Sequence, residues 1–135
     1  MVQSKISQGL RLAVSVIIRD GDRFFLVERA NEPGKGSYAF PGGKVEPGEA
    51  LDAAIRRELK EETALDLVEA VLFEVLEVSG ASGHYLLHVY LAHTISGNPQ
   101  AGDDAASFGW YSQEDMHALT MPQSVRDMVA KLLQV

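Results

Sequence analysis

The sequence predicts an α/β fold in which a mixed β-sheet lies between helices. Three observations carry that expectation. Leu10, Leu12, Val14, Val16 and Ile18 alternate with Arg11, Ala13, Ser15 and Ile17, the period-two pattern of a strand. Glu49 to Thr63 holds no Gly or Pro and is rich in Ala, Leu, Glu and Arg, which are good helix formers. Near the C-terminus Val125, Met128, Val129, Leu132 and Leu133 recur at helical spacing. Amphipathic helices and strands bury their apolar faces together when a helix covers each face of a sheet.

The elements follow in order. Asp20-Gly21-Asp22 is a turn, and Arg23 to Glu28 reads as a second strand, giving a hairpin. Asn31 to Ser37, with Pro33, Gly34 and Gly36, is a loop. Tyr38-Ala39-Phe40 is a short strand running into Pro41-Gly42-Gly43, and Pro47-Gly48 is a turn before the helix. Leu67 to Val78 and His84 to Ile95 are β-rich runs joined by Ser79 to Gly83, a further hairpin. Ser96 to Ala106 reads as a loop, Phe108 to Tyr111 as a short strand. Ser112, with Asp115 three residues on, caps a short helix, and Pro122 opens the last one. The order is β-β-β-α-β-β-β-α-α.

At 135 residues the chain fits a single domain, residues 1–135, large enough for a core without staples. It has no cysteine, which removes disulfides, thiolate metal sites and cysteine nucleophiles, and agrees with a reducing, cytoplasmic setting. No apolar run approaches the ~20 residues of a membrane span, and Met1 to Leu10 lacks the apolar stretch of a signal peptide. The formal charge of −7 argues against a long nucleic acid as partner. An anionic substrate would need a cation to mediate, and a metal ion is the obvious one.

The informative segment is the Glu49–Leu65 helix. At about 100° per residue, Leu51, Ala54, Ile55 and Leu59 define the inward stripe. Glu58 and Glu62 fall in the middle of that stripe and Glu61 at its edge, while Arg56 and Lys60 point away. A solvated face laced with i,i+4 ion pairs does not account for this, because Glu58 and Glu62 carry like charge at that spacing. Three converging carboxylates make a hard-oxygen cage suited to Mg²⁺ or Mn²⁺ rather than zinc. The bare backbone of Gly42-Gly43 lets a carbonyl approach the same ion.

The stretch Gly43, Glu49, Arg57, Glu58, Leu59, Glu61, Glu62 and Leu65 resembles the Nudix box, the signature of the Nudix hydrolases. That pattern is Gly, five residues, Glu, seven residues, Arg-Glu, an aliphatic, any residue, Glu-Glu, any residue, Gly, an aliphatic. Ala64 stands where the family has Gly. Six identities at these spacings arise by chance about 5 × 10⁻⁸ times per window at ~6% frequency each. The flanking strands also look like the family's α/β/α sandwich. The resemblance implies metal-dependent hydrolysis of a nucleoside diphosphate linked to another moiety. It makes Glu58 and Glu62 the main metal ligands and Glu61 a third ligand or the base. It adds the Gly42 carbonyl as a ligand, and Glu49–Arg57 as a structural ion pair behind Gly43.

The approach from Glu28-Arg29-Ala30 through Pro33, Gly34 and Gly36 to Pro41-Gly42-Gly43 is similar to that of ADP-ribose pyrophosphatases, as is the Ala101–Ala106 run before Trp110. In MutT-type relatives an acidic residue at a like offset from the Trp helps bind metal or position the base, and Asp104 matches it; Asp103 reads as a turn residue. Arg29 is the expected phosphate or ribose contact. Tyr38 and Phe40, with Phe25 and Tyr85, are the aromatic candidates for the nucleoside. His84 and His88 share one strand face and His93 takes the other, which argues against a three-His zinc site; His88 is a candidate for the cleft. The resulting expectation is a Mg²⁺-dependent pyrophosphohydrolase, monomer or homodimer, acting on ADP-ribose. A triphosphatase for oxidised dGTP and a non-catalytic nucleotide sensor are the alternatives.

Overall fold

The computed structural model describes residues 10–80, 83–102 and 104–134. Among the described residues the fold has two sheets and three helices. Strand β1 (Arg11–Ile17), β2 (Arg19–Asp20), β3 (Arg23–Arg29), β4 (Tyr38–Ala39) and β5 (Gly42–Lys44) precede helix α1 (Leu51–Thr63). Then come β6 (Asp66–Gly80), β7 (Gly83–Ser96), β8 (Ala105–Ser112), α2 (Gln113–Met116) and α3 (Gln123–Leu133). The first sheet has the order β5-β1-β7-β6. It is mixed, because β1 runs parallel to β7 while β5 and β6 are antiparallel to their neighbours. In the second sheet β3 pairs with β2 and β4 on one edge and with β8 on the other.

Alternation along β1 and β3 divides the interior into two cores. Val14, Val16, Phe25 and Val27 pack with Ala54, Ile55 and Leu59 of α1. Ile17, Phe24 and Leu26 pack the other way, with Phe40, Val89, Met116, Val125, Met128 and Val129. Each such fully buried side chain contributes about 1.5–3 kcal/mol. The helices therefore lie on opposite faces, as the periodicities predict.

The differences are informative. β1 is buried on both faces from Val14 onward, because Val14 and Val16 enter the first core and Ile17 the second. Gly42–Lys44, where the sequence suggested no strand beyond Tyr38–Phe40, is a strand paired to Ala13–Ser15. A Cβ on Gly42 would lie 2.1 Å from the Val14 carbonyl oxygen, so this pairing is open to glycine alone. β8 begins at Ala105, inside the expected loop, because Ala105 already pairs with Arg29.

Candidate active site

Helix α1 and strand β5 bring the acidic residues to the surface of the first core. The Glu58 carboxylate lies directly over Gly43: a Cβ there would fall 2.0 Å from Glu58 Oε2. Glu62 Oε1 accepts the Gly42 N–H at 3.0 Å. Burial pushes the Glu62 carboxyl from its ordinary 4.5 up to about 7; the charges of Glu58 and Asp104 add to this, and the Gly42 N–H and Arg29 oppose it.

Arg57 holds the preceding loop on the helix. Its Nε and Nη2 donate to the two Glu49 oxygens at 2.7 and 2.9 Å, a bidentate pair, and Nη2 also donates to the Lys44 carbonyl at 3.0 Å. Glu49 further accepts the Glu46 N–H at 3.0 Å. The Arg57 hydrogen bond is the main reason the Glu49 carboxyl is lowered to about 2, and the same bond raises Arg57. Arg57 Nη1 takes Glu61 Oε1 at 3.1 Å and stands 3.5 Å from Glu58 Oε2.

The three helix carboxylates thus do not close into a ready-made cage. Glu58 and Glu62, four residues apart, share the inner face, but Glu61 is drawn outward to Arg57. Among the described residues no three acidic, histidine or cysteine side chains cluster closely enough to hold an ion together. The helical wheel places Glu61 at the edge of the stripe, and an edge position lets its carboxylate choose the guanidinium instead.

The other half of the site comes from two loops. Gln100 N–H donates to the Thr63 carbonyl at 2.7 Å and Gly102 N–H to the Glu62 carbonyl at 3.0 Å, which docks the loop before β8 on the end of α1. That delivers Asp104 to Arg29, Nη1 to Oδ2, at 2.7 Å. Asp104 Oδ1 also accepts the Asn31 backbone N–H at 3.0 Å and the Asn31 amide at 2.8 Å. Asp104 therefore joins the site through Arg29 and Asn31, while its charge still reaches Glu62. Asp103 lies outside the described residues, as do residues 1–9.

Two cavities meet here. A polar one of about 560 Å³ is lined by Arg29, Lys44, Glu62, Asp104, Phe40 and Gly42, among others. An apolar one of about 300 Å³ lies between β1, β7 and α3, with Ser15, Tyr85, Leu87, Val125 and Met128 in its wall. Ala39, Phe40, Gly42 and Pro122 belong to both. A glycine-backed carboxylate pair, a cationic rim and an adjoining apolar slot thus lie side by side.

The sequence matches the family model of the NUDIX domain over residues 9–132. The chain belongs to the Nudix hydrolase family. It is 36% identical over 110 residues to an ADP-ribose pyrophosphatase of Methanocaldococcus jannaschii, covering 80% of this chain and 65% of that relative. It is 32% identical over 124 residues to the 8-oxo-dGTP diphosphatase of Escherichia coli, covering 91% and 95%. The crystal structure of a MutT NUDIX hydrolase from Burkholderia pseudomallei superposes with a TM-score of 0.82 at 28% identity, over 90% of this chain and 97% of that one.

Within this Nudix fold the expected residues sort as follows. Glu58, Glu62, Gly42, Gly43, Glu49 and Arg57 come together, and Glu61 joins them through Arg57. Phe40 lines both cavities, Tyr85 the apolar one. Tyr38 lines neither; its ring packs edge-on against Tyr111 at 5.5 Å. Phe25 is wholly buried against Phe108 and Trp110. His88 lines neither of these cavities, and its Nδ1 is buried without a partner among the described residues. His84 bonds Ser79 at 2.7 Å. Sequence reasoning missed Lys44 and Pro122. The lysine sits immediately after Gly43, and its place in the site follows only from the unexpected strand β5.

The donor chemistry fits a divalent metal. Glu58 and Glu62 are oxygen donors, and Glu62 is a half-buried carboxylate whose charged form is disfavoured first by desolvation and then by the charges of Glu58 and Asp104, so a cation there offsets an existing cost.

Proposed function

We propose that this protein is a divalent-metal-dependent pyrophosphohydrolase that cleaves ADP-ribose, or a closely similar nucleoside diphosphate sugar, into AMP and ribose 5-phosphate. The observation that carries this reading is the junction at Phe40, Gly42 and Pro122 between a polar cavity with Arg29, Lys44 and Glu62 and an apolar cavity. A diphosphate fits the first and a nucleobase the second. Arg29 and Lys44 face phosphate oxygens, and Phe40 walls the nucleoside. Glu58 and Glu62, with Glu61 beside them, would hold Mg²⁺, with Mn²⁺ as an alternative. The bound metal neutralises phosphate charge and lowers the pKa of water. Water adds to one phosphorus as the bridging P–O bond breaks, and its proton passes to a carboxylate of α1 or to Asp104; Glu62 and Asp104 both line the polar cavity. Arg57 and Glu49 keep the loop bearing Gly42 and Gly43 seated on the helix. We assign the activity to one domain working in the cytoplasm on a small nucleotide.

The ADP-ribose reading is supported by the name of the Methanocaldococcus relative and by the Arg29–Gly43 approach. The Escherichia coli relative, matched over nearly its full length, supports a second reading, a triphosphatase for oxidised dGTP. Chelator-treated protein should be inactive and should recover with Mg²⁺. With ADP-ribose, mass spectrometry should find AMP and ribose 5-phosphate, at a kcat/KM at least ~10-fold above that for 8-oxo-dGTP, about 1.4 kcal/mol of discrimination. The opposite ratio, with pyrophosphate released, selects the second reading. Full turnover without metal rejects both.

A further inference from the structure

We propose that Asn31 is a positioning residue which, through Asp104, holds the Arg29 guanidinium ready for a substrate phosphate. The proposal rests on the reading of the polar cavity as the phosphate site. Arg29 ends β3 at a register shift: Glu28 pairs with Ser107 and Arg29 with Ala105, so Ala106 is the extra residue of a bulge. A bulge at the rim of a sheet re-aims the side chain beside it. Residues 33–37 then fold back on Arg29. Its N–H donates to the Ser37 carbonyl, its carbonyl accepts the Gly36 N–H, and its Nε donates to the Pro33 carbonyl. The side chain packs so closely on Gly34 that a Cβ there would lie 3.3 Å from Arg29 Cδ.

Nε is engaged by the Pro33 carbonyl and Nη1 is ion-paired with Asp104 Oδ2 at 2.7 Å, while Nη2 has no hydrogen-bond partner among the described residues and Arg29 lines the polar cavity. This partial engagement fixes the plane of the fork without consuming it. Asp104 keeps only one oxygen on Arg29 because Asn31 occupies the other twice, through its backbone N–H and its amide. Without the amide, Asp104 Oδ1 keeps only the Asn31 backbone N–H, and the less restrained carboxylate can rotate toward the guanidinium and compete for the N–H groups a phosphate needs. Ala30 N–H on the Asp104 carbonyl, at 2.7 Å, keeps the two loops together whatever residue 31 carries. The Asn31 amide therefore acts on the guanidinium rather than on the fold.

A double-mutant cycle tests this with Asn31→Ala, Arg29→Ala and the double variant, assayed on ADP-ribose at saturating Mg²⁺. Asn31→Ala should raise KM at least ~5-fold with kcat within about two-fold, and the thermal midpoint should stay in place. In the Arg29→Ala background it should add nothing. In ¹⁵N spectra of the unliganded protein, the Arg29 Nη–H signals should exchange more slowly in Asn31→Ala, as the Asp104 carboxylate closes on them, a readout independent of turnover. If Arg29→Ala raises KM but Asn31→Ala does not, or the two effects add, the positioning role is wrong and the phosphate reading stands. If Asn31→Ala lowers kcat at unchanged KM, it is also wrong. If Arg29→Ala leaves KM unchanged, the phosphate reading falls and takes this proposal with it.

Discussion

Glu62→Gln should stabilise the metal-free protein while abolishing turnover, because it removes a charge that the fold opposes and keeps the shape. The Glu62 carboxyl rises from 4.5 to about 7, chiefly by burial. At 1.36 kcal/mol per pH unit, holding it ionised in the folded state costs about 3 kcal/mol relative to the unfolded chain. The sign follows from the protons. Between pH 4.5 and about 7 the folded protein keeps a proton that the unfolded chain has lost, so stability falls as pH rises through that window and is level above it. Gln retains the carbonyl that accepts the Gly42 N–H. At pH 8 in chelator the variant should therefore melt up to about 10 °C above wild type, at about 3–4 °C per kcal/mol for a domain of this size. At pH 5, where wild type is protonated at Glu62, the gap should close. Calorimetric melts at both pH values decide this. A gain that is the same at pH 5 and pH 8, or a loss at pH 8, refutes the burial argument. With Mg²⁺, turnover should fall at least ~100-fold, a barrier change of about 2.7 kcal/mol. An unchanged kcat removes Glu62 from the ligand set.

Two further substitutions probe the frame of the site. Glu49→Gln breaks the bidentate pair with Arg57; it should lower the melting midpoint at neutral pH, and the deficit should fade as acid titrates wild-type Glu49 through the window from 4.5 to about 2. An unchanged midpoint at pH 7 means the pair does not hold the loop. Ala64→Gly addresses the one departure from the box: Ala64 sits at φ 66°, a left-handed position that costs a Cβ-bearing residue about 1 kcal/mol. The variant should melt about 3 °C higher with activity unchanged, and a lower midpoint shows that the Cβ packs to advantage.

What the sequence revealed of the fold followed local periodicity. The alternation from Leu10 to Ile18 found β1 to within a residue at each end, and the Glu49–Thr63 composition found α1 to within two. Both patterns exist because one neighbour, the core, selects every second or every third to fourth residue. β5 was illegible for the opposite reason. Gly42, Gly43 and Lys44 have no strand propensity, and they pair only because the missing Cβ atoms admit the Val14 carbonyl and the Glu58 carboxylate. The start of β8 was hidden in the same way, since Ala105 is a strand residue only by virtue of Arg29.

The site divides along that line too. Spacing along one helix identified Glu58 and Glu62 as partners on one face; the Arg57–Glu61 pair, also four residues apart, lay in the same spacing but was not read from it. Asn31 and Asp104 lie 73 residues apart, and no periodicity links them. What joins them is helix capping. The last carbonyls of α1 have no partner within the helix, and the Gln100 and Gly102 N–H groups supply two. A Cβ on Gly102 would come within 2.7 Å of the Glu61 carbonyl, so the loop can dock this closely only with glycine there. The loop that carries Asp104 to Arg29 is thus fastened to the same turn of helix that carries Glu61 and Glu62. Hydrogen bonds to that turn set the separation between the carboxylates and the cationic side of the cavity, which is the separation a diphosphate must bridge.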